Sequence, residues 1–374
     1  MHEMDHIGTN LSEKGDKRIE ILTQHLVNRP KAVVGVESFL CCVINIISFV
    51  GNILVLIAFY RNPRLRKPAN YYIIALAVED IILACFAMPF GCASAVLGEW
   101  VFGQAICWLQ ASLATMLGTA SLVTLALIAT NRLLTVVYPS IHRRVASKTT
   151  ILTSIFAAWC VTAAIPLSFY LTGVTNLFHP GYSLCLFDFS AASYILVIPI
   201  ATVDTFLPYQ VIFICYFKIW RFIRNHRAQM STSTVNADEI RLNRLFVLIV
   251  ISFTVCFTPF TVVILLESFQ KQILIPREVY VFANTMVGLS CCVNPVIYGI
   301  MNPEFKREFA AILRLRKRRK IAAPNVEPVQ PGCRGTEMHS TRTSRSWITH
   351  SLSSAKVWCL CWRDPLFLLP NFAY

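Results

Sequence analysis

Asn294-Pro295-Val296-Ile297-Tyr298 closes the last long apolar run of this chain, after Gly288-Leu289-Ser290-Cys291-Cys292-Val293. Backbone freed by a proline at membrane depth has to find its partners in neighbouring helices or in ordered water. A polar side chain in the same place marks function by default. A helix that carries an Asn, a Pro and a Tyr so close together is built to bend, and a bend at that depth points to a switch.

Working outward, the 374 residues are 55% apolar and only 14% charged, with mean hydropathy +0.57. Soluble domains carry about 25% charge, so the composition is that of a membrane protein. Apolar runs long enough to span, about 20 residues each, fall near 35–60, 69–93, 104–137, 149–171, 191–225, 239–267 and 277–301. Seven spans put the termini on opposite sides, and short-loop charge sets which side. Arg61, Arg64, Arg66 and Lys67 follow the first span, Arg143, Arg144 and Lys148 the third, and Lys218, Arg221, Arg224 and Arg227 the fifth. The alternate loops hold only Glu99 and only Asp188. The chain is therefore expected to be a multi-pass protein of the plasma membrane, its N-terminus extracellular and its C-terminus cytoplasmic. The net charge of +14 reflects this sidedness and a basic tail, not nucleic-acid binding. Residues 1–30 hold no apolar segment of signal-peptide type, so the first span is expected to serve as its own insertion signal.

Most cysteines lie inside spans, Cys41 among them, and read as small hydrophobes. Cys107 and Cys185 instead face the oxidising side, where a disulfide persists and would tie an outer loop across the bundle mouth. Asn10-Leu11-Ser12 is a glycosylation acceptor on that side. Each span carries a conspicuous residue or group: Gly51-Asn52, Asp80, Asn131-Arg132, Trp159, Pro208 with Tyr216, Cys256-Phe257-Thr258-Pro259, and the Asn294–Tyr298 stretch.

In that order and in those spans, these residues resemble the rhodopsin-type (class A) G-protein-coupled receptors over roughly residues 35–320. The stretch from Gly51 to Pro89 is similar to melatonin, adenosine and amine receptors. The resemblance implies an all-α bundle of seven transmembrane helices, residues 35–301. It is preceded by an extracellular tail over 1–34 and followed by an amphipathic cytoplasmic helix over 302–320 and a tail over 321–374. It implies an outward-opening ligand cavity and a heterotrimeric G-protein site inside. Asp80, with Ser121, Ser290 and Asn294, would form an allosteric sodium site; oxygen donors suit that hard cation. No other cofactor is expected.

Arg132, Glu239, Pro259, Pro295, Tyr298 and Tyr216 would form the activation switch. Asn131 stands where most relatives carry Asp beside the arginine, which removes one restraint and predicts raised basal signalling. Phe257 replaces the commoner Trp below the ligand. Ala114 matches the amine-anchoring Asp and Gly288 the retinal-binding Lys, so neither anchor is present. The expected ligand is an extracellular small molecule bound by Asp204, Thr115, Thr119, Gln110, Phe257 and Asn284, with Glu267 a further rim candidate and Asp204 holding a cationic group.

After the last span, Phe305, Phe309, Ile312 and Leu313 form an apolar stripe among Lys and Arg, a helix drawn to anionic lipid. Ser231 to Thr234 and Ser340 to Ser354 could accept phosphate and dock arrestin after a receptor kinase has acted, and Cys359 and Cys361 could be palmitoylated. A seven-helix ligand-binding or scavenging receptor without efficient G-protein coupling is the alternative. Enzyme chemistry has no candidate site, since no metal cluster, phosphate loop or nucleophile–base pair is present.

Overall fold

A computed structural model describes residues 17–188, 205–230, 237–269 and 274–313, with the side chains of 226–230, 237–242 and 268–269 outside that description. Asn10, Asp204, the Glu239 side chain, Ser231 to Thr234 and the tail beyond Leu313 therefore lie outside the described residues.

The helices are α1 (residues 17–27), α2 (Lys31–Arg61), α3 (Tyr71–Phe86), α4 (Met88–Leu97), α5 (Gly103–Val137), α6 (Pro139–Val145), α7 (Lys148–Leu171), α8 (Leu207–Met230), α9 (Ala237–Phe269), α10 (Arg277–Met301) and α11 (Pro303–Ile312). A two-stranded hairpin, β1 (Asn176–His179) and β2 (Leu184–Phe187), pairs antiparallel with Phe178 opposite Cys185. Among the described residues six stretches are long and apolar enough to cross a membrane: α2, α3 with α4 and the turn before them, α5, α7, α9 and α10. The described part of α8 is the inner, basic end of the remaining span, with Lys218, Arg221 and Arg224.

Between helices surrounded by lipid, apolar burial gives little drive, and close packing with buried hydrogen bonds has to hold them together. The bundle is accordingly graded. In their most apolar stretches α5 is 56% buried and α2 only 17%. Helix α5 packs against α3, α7 and α8, while α10 packs against α9 and α2. Phe39, Phe156, Phe213 and Ile300 face outward, as lipid-facing side chains do.

Three of the helices contain an internal proline: Pro166 in α7, Pro259 in α9 and Pro295 in α10. Pro295 lacks the N–H that would bond the Cys291 carbonyl four residues back. The Asn52 side chain in α2 supplies the missing donor, Nδ2 to Cys291 O at 3.0 Å, and also bonds Ser48 O at 2.9 Å. Gly51 gives the room, because a Cβ there would lie 3.0 Å from Pro295 Cγ. Gly51-Asn52 on the first span and Pro295 on the seventh are thus two halves of one joint. Pro295→Ala restores a backbone donor for Cys291 O. Asn52→Ala is then expected to cost about 1–2 kcal/mol in the parent, an unmet buried carbonyl, and clearly less beside Pro295→Ala. A double-mutant cycle of unfolding midpoints measures this coupling, and strict additivity would refute the shared joint.

The second joint lies between α3 and α4. The chain breaks at Ala87 just before Pro89, and the Ala87 carbonyl is met by Gln110 Nε2 of α5 at 2.8 Å.

The extracellular tail expected over residues 1–34 is not simply a tail. Its helix α1 lies on the bundle, with Leu22 and Leu26 each only 1% exposed. Their spacing of four puts both on one face of the helix, where Leu22 packs with Tyr182, Val263, Ile275, Tyr280 and Ala283. At the other end Asn302 caps α11 by accepting from Glu304 N and Phe305 N, with Pro303 at the first helical position. Phe305 does not face lipid, contrary to the stripe reading. It is fully buried, its ring 5.7 Å from that of Tyr298.

Candidate functional site

A cavity of about 250 Å³ opens within the outer half of the bundle and reaches down to Asp80 and Asn294. Its roof is the hairpin: Tyr182, Ser183, Leu184, Cys185 and Leu186 all line it. The roof is fixed by the Cys107–Cys185 disulfide between α5 and β2 (Cα–Cα 5.3 Å), as the two outer cysteines predict. Gln110 adds a second tie, since its Oε1 accepts from Cys185 N at 2.9 Å. A second disulfide, Cys41–Cys92, joins α2 to α4. This corrects the reading of Cys41 as a plain hydrophobe: both of its neighbouring features, the small Cys92 and the α3–α4 break, become visible only in three dimensions.

Of the ligand contacts expected from sequence, Gln110, Thr115, Phe257 and Asn284 line this cavity. Gln110 is a brace more than a ligand contact, both ends of its amide being engaged by Ala87 and Cys185. Asn284 donates to Tyr182 O at 3.2 Å, so it also supports the roof. Thr119 is not a lining residue; it is buried and its hydroxyl donates to Thr115 O at 2.9 Å. Glu267 likewise stands apart from the lining and is the acceptor of an outer cluster with Arg18, His179 and the Tyr280 hydroxyl. Phe257 stacks on Phe253, ring centres 4.1 Å apart, and its edge faces Gly118 of α5.

At the floor, Asp80, Ser121, Ser290 and Asn294 all line the cavity. Asn294 Nδ2 donates to Asp80 Oδ2 at 3.1 Å. Ser121, however, donates to a different acid. Its Oγ lies 2.8 Å from Glu79 Oε2, and Glu79 is wholly buried. Glu79 also accepts from Thr124 (3.2 Å) and from Trp159 Nε1 (2.8 Å). One carboxylate thus joins α3, α5 and α7. It escapes notice in the sequence because Asp80 beside it draws the eye, although a second acid in a span is signal enough.

Below the floor, Arg132 is 3% exposed and lies over the Phe246 ring at 4.6 Å, a cation–π contact between α5 and α9. The phenol oxygens of Tyr216 and Tyr298 are both buried with no hydrogen-bond partner among the described residues.

Comparison with known proteins places this geometry. The family described as 7 transmembrane receptor (rhodopsin family) matches residues 51–298, about two thirds of the chain. The chain belongs to this family of rhodopsin-type receptors. Its members are receptors and not enzymes, multi-pass proteins of the membrane. Human visual pigment-like receptor peropsin is 29% identical over 291 residues, covering 76% of this chain and 86% of that protein. The melatonin receptor type 1B-B of Danio rerio is 23% identical over 76% of this chain and 83% of its own. The allatostatin-A receptor of Bombyx mori is 26% identical over 72% and 77%. The crystal structure of squid rhodopsin superposes with a TM-score of 0.67 at 24% identity, covering 77% of this chain and 87% of that one, and so supports the seven-helix fold. Gly288 lines the cavity of this receptor, and a Cβ there would sit 3.1 Å from Ile44 Cγ2. No amine is present at that position, and a side chain there would need Ile44 to give by a few tenths of an ångström.

Proposed function

We propose that this receptor binds a small extracellular ligand in the cavity under the β1–β2 roof and activates a heterotrimeric G protein at the opposite end. The observation that carries the reading is the polar column beneath the cavity. Asp80 is bonded to Asn294, the Pro295 joint follows, and the two unpartnered phenols of Tyr298 and Tyr216 lie below. Two buried hydroxyls without partners are costly. A rearrangement that brings them to each other, or to shared water, is favoured by that cost, and α9 can swing about Pro259 once Arg132 leaves Phe246. The test is nucleotide exchange on reconstituted receptor. Exchange is expected to rise with ligand and to vanish in Arg132→Ala, with ligand binding retained. Binding without exchange in the parent protein would favour a scavenging receptor instead. Basal exchange is expected above an empty-membrane control, because Asn131 offers Arg132 no charged restraint.

The four oxygen-bearing residues on the floor fit a sodium ion, with Asp80 supplying the charge, and such an ion would hold the floor in its resting form. Asp80→Asn is therefore expected to abolish the weakening of agonist affinity by sodium. Sodium sensitivity unchanged in that variant would sink the assignment. Phosphorylation of the tail and arrestin docking remain part of the proposed cycle, with the N-terminus outside and the tail in the cytoplasm.

A further inference from the structure

At the outer end of the cavity two guanidinium groups share one carboxylate, and one of them, Arg277, lines the cavity with it. Glu37 of α2 takes both oxygens to two guanidinium groups. Arg277 donates from Nη1 to Oε1 at 2.6 Å and from Nη2 to Oε2 at 2.8 Å, and Arg29 donates from Nη1 to Oε2. Arg29 also bonds Ala95 O and Leu26 O, so its position is fixed by α1 and α4. The side chains of Arg29 and Arg277 are only 5% and 4% exposed. Two buried cations on one carboxylate leave an excess of one positive charge among these three side chains, with the exposed Glu278 next along α10. Desolvation holds the Arg29 guanidinium below the usual arginine range, and the neighbouring charge of Arg277 adds to it. Arg277 is also the first residue of α10, whose free N–H groups add partial positive charge.

A second observation points the same way. Arg277 Nε, Tyr182 Oη and Ser183 Oγ are each buried without a hydrogen-bond partner among the described residues, and all three residues line the cavity. Tyr182 packs against Tyr280, one turn below Arg277, with ring centres 4.9 Å apart. Three polar groups unmet among the described residues thus line one cavity, and one of them, the Nε–H, belongs to Arg277 itself. Below them the lining is apolar, with Leu40, Ile44, Leu83, Phe257 and Val281. The acidic floor at Asp80 sets the opposite polarity at the far end.

We propose that the receptor's ligand is a small amphiphilic anion, a carboxylate or equivalent acid on an apolar body, with its head group at Arg277 and its body pointing toward Phe257. The assignment rests on the reading of this cavity as the ligand site, and goes beyond it in naming the ligand's charge and orientation. A planar carboxylate suits an arginine whose Nε–H is unmet, and about 250 Å³ lies just below the usual range of ligand cavities, which favours a small ligand.

The test is a direct binding measurement, independent of G protein, on full-length receptor in nanodiscs. The probes are butanoate, hexanoate, octanoate and decanoate, each with its primary amide and its primary amine. Thermal stabilisation by at least one acid at concentrations at least about tenfold below its amide and amine is expected. Arg277→Gln should abolish that preference. Glu37→Gln should keep or strengthen it, because it frees Arg277 from the carboxylate that now engages it. If Arg277→Gln does not fold, the sign of the Glu37→Gln effect and a fall in acid affinity with added salt decide the question. Equal binding of acid and amide, preference for the amine, no binding by any acid in the series, or weakened acid binding in Glu37→Gln overturns the proposal. Acid binding without any nucleotide exchange would keep this site and remove the signalling function instead.

Discussion

Glu79→Leu is expected to lower the stability of the purified receptor by about 2–4 kcal/mol, the sum of three buried donors left without an acceptor at roughly 1 kcal/mol each or somewhat more. The donors are Ser121, Thr124 and Trp159, from two helices that both pack on α3. The hydroxyls can turn to backbone carbonyls, which caps the loss; the Trp159 indole N–H cannot. Glu79→Gln should cost about 1 kcal/mol or less. Its amide oxygen, placed where Oε1 now sits, still accepts from Thr124 and Trp159, and its NH2 can donate to Ser121 once that hydroxyl reverses. Denaturant midpoints in nanodiscs separate the two variants. Equal losses would mean that the carboxyl group acts through its charge and not through its acceptors. Because Ser121 also lines the cavity floor, Glu79→Leu should in addition alter sodium sensitivity, whereas Glu79→Gln should leave it nearly intact.

How much of this was legible follows from where each signal resides. Spans and the outer disulfide are properties of composition and position along the chain, and the sequence carries them openly. The residues proposed as the switch stand out for a related reason: Pro295, Tyr298 and Arg132 are costly in lipid, so their presence calls for an explanation. What the sequence conceals is pairing at long range. Glu37 and Arg277 are 240 positions apart, as bonded, and Asn52 and Cys291 are 239 apart. No local period announces either pair. Cys41 looks like its neighbour Cys42, yet only one of them meets a partner, since adjacent helical positions point about 100° apart. Helix α1 was hidden for another reason. A short polar helix with two buried leucines is too weak a pattern to read as structure, and tertiary packing, not propensity, holds it. Candidate ligand residues were the least legible. Gln110 faces the cavity as helical spacing says, but its amide is bound to backbone that the sequence places far away.

Cys107→Ser is expected to cost about 2–4 kcal/mol, and Cys185→Ser the same, with the double variant no worse than either single one. The magnitude follows from the chain-closure cost of a loop of 78 residues, taken below its full value because spans remain helical and inserted when the bundle loosens. The functional loss should exceed what stability alone gives. Strand β2 is the roof of the cavity, and Cys185 is its fixed point: the disulfide holds its side chain and Gln110 holds its N–H. Release of the sulfur leaves the hairpin, still paired strand to strand, held to the bundle by side-chain hydrogen bonds from Gln110 and Asn284 and by packing. Ser183 and Tyr182, which line the cavity just before this strand, then loosen with it, Tyr182 less so because Asn284 still holds its carbonyl. Ligand dissociation should accelerate by at least about tenfold, equal to 1.4 kcal/mol, at temperatures where the variant is still folded. Loss of Cys41–Cys92 provides the control. That bridge joins α2 to α4 and leaves the hairpin untouched, so Cys92→Ser should lower stability with a smaller change in dissociation rate. Equal acceleration by both variants would show that the roof is held by the bundle as a whole and not by its own staple.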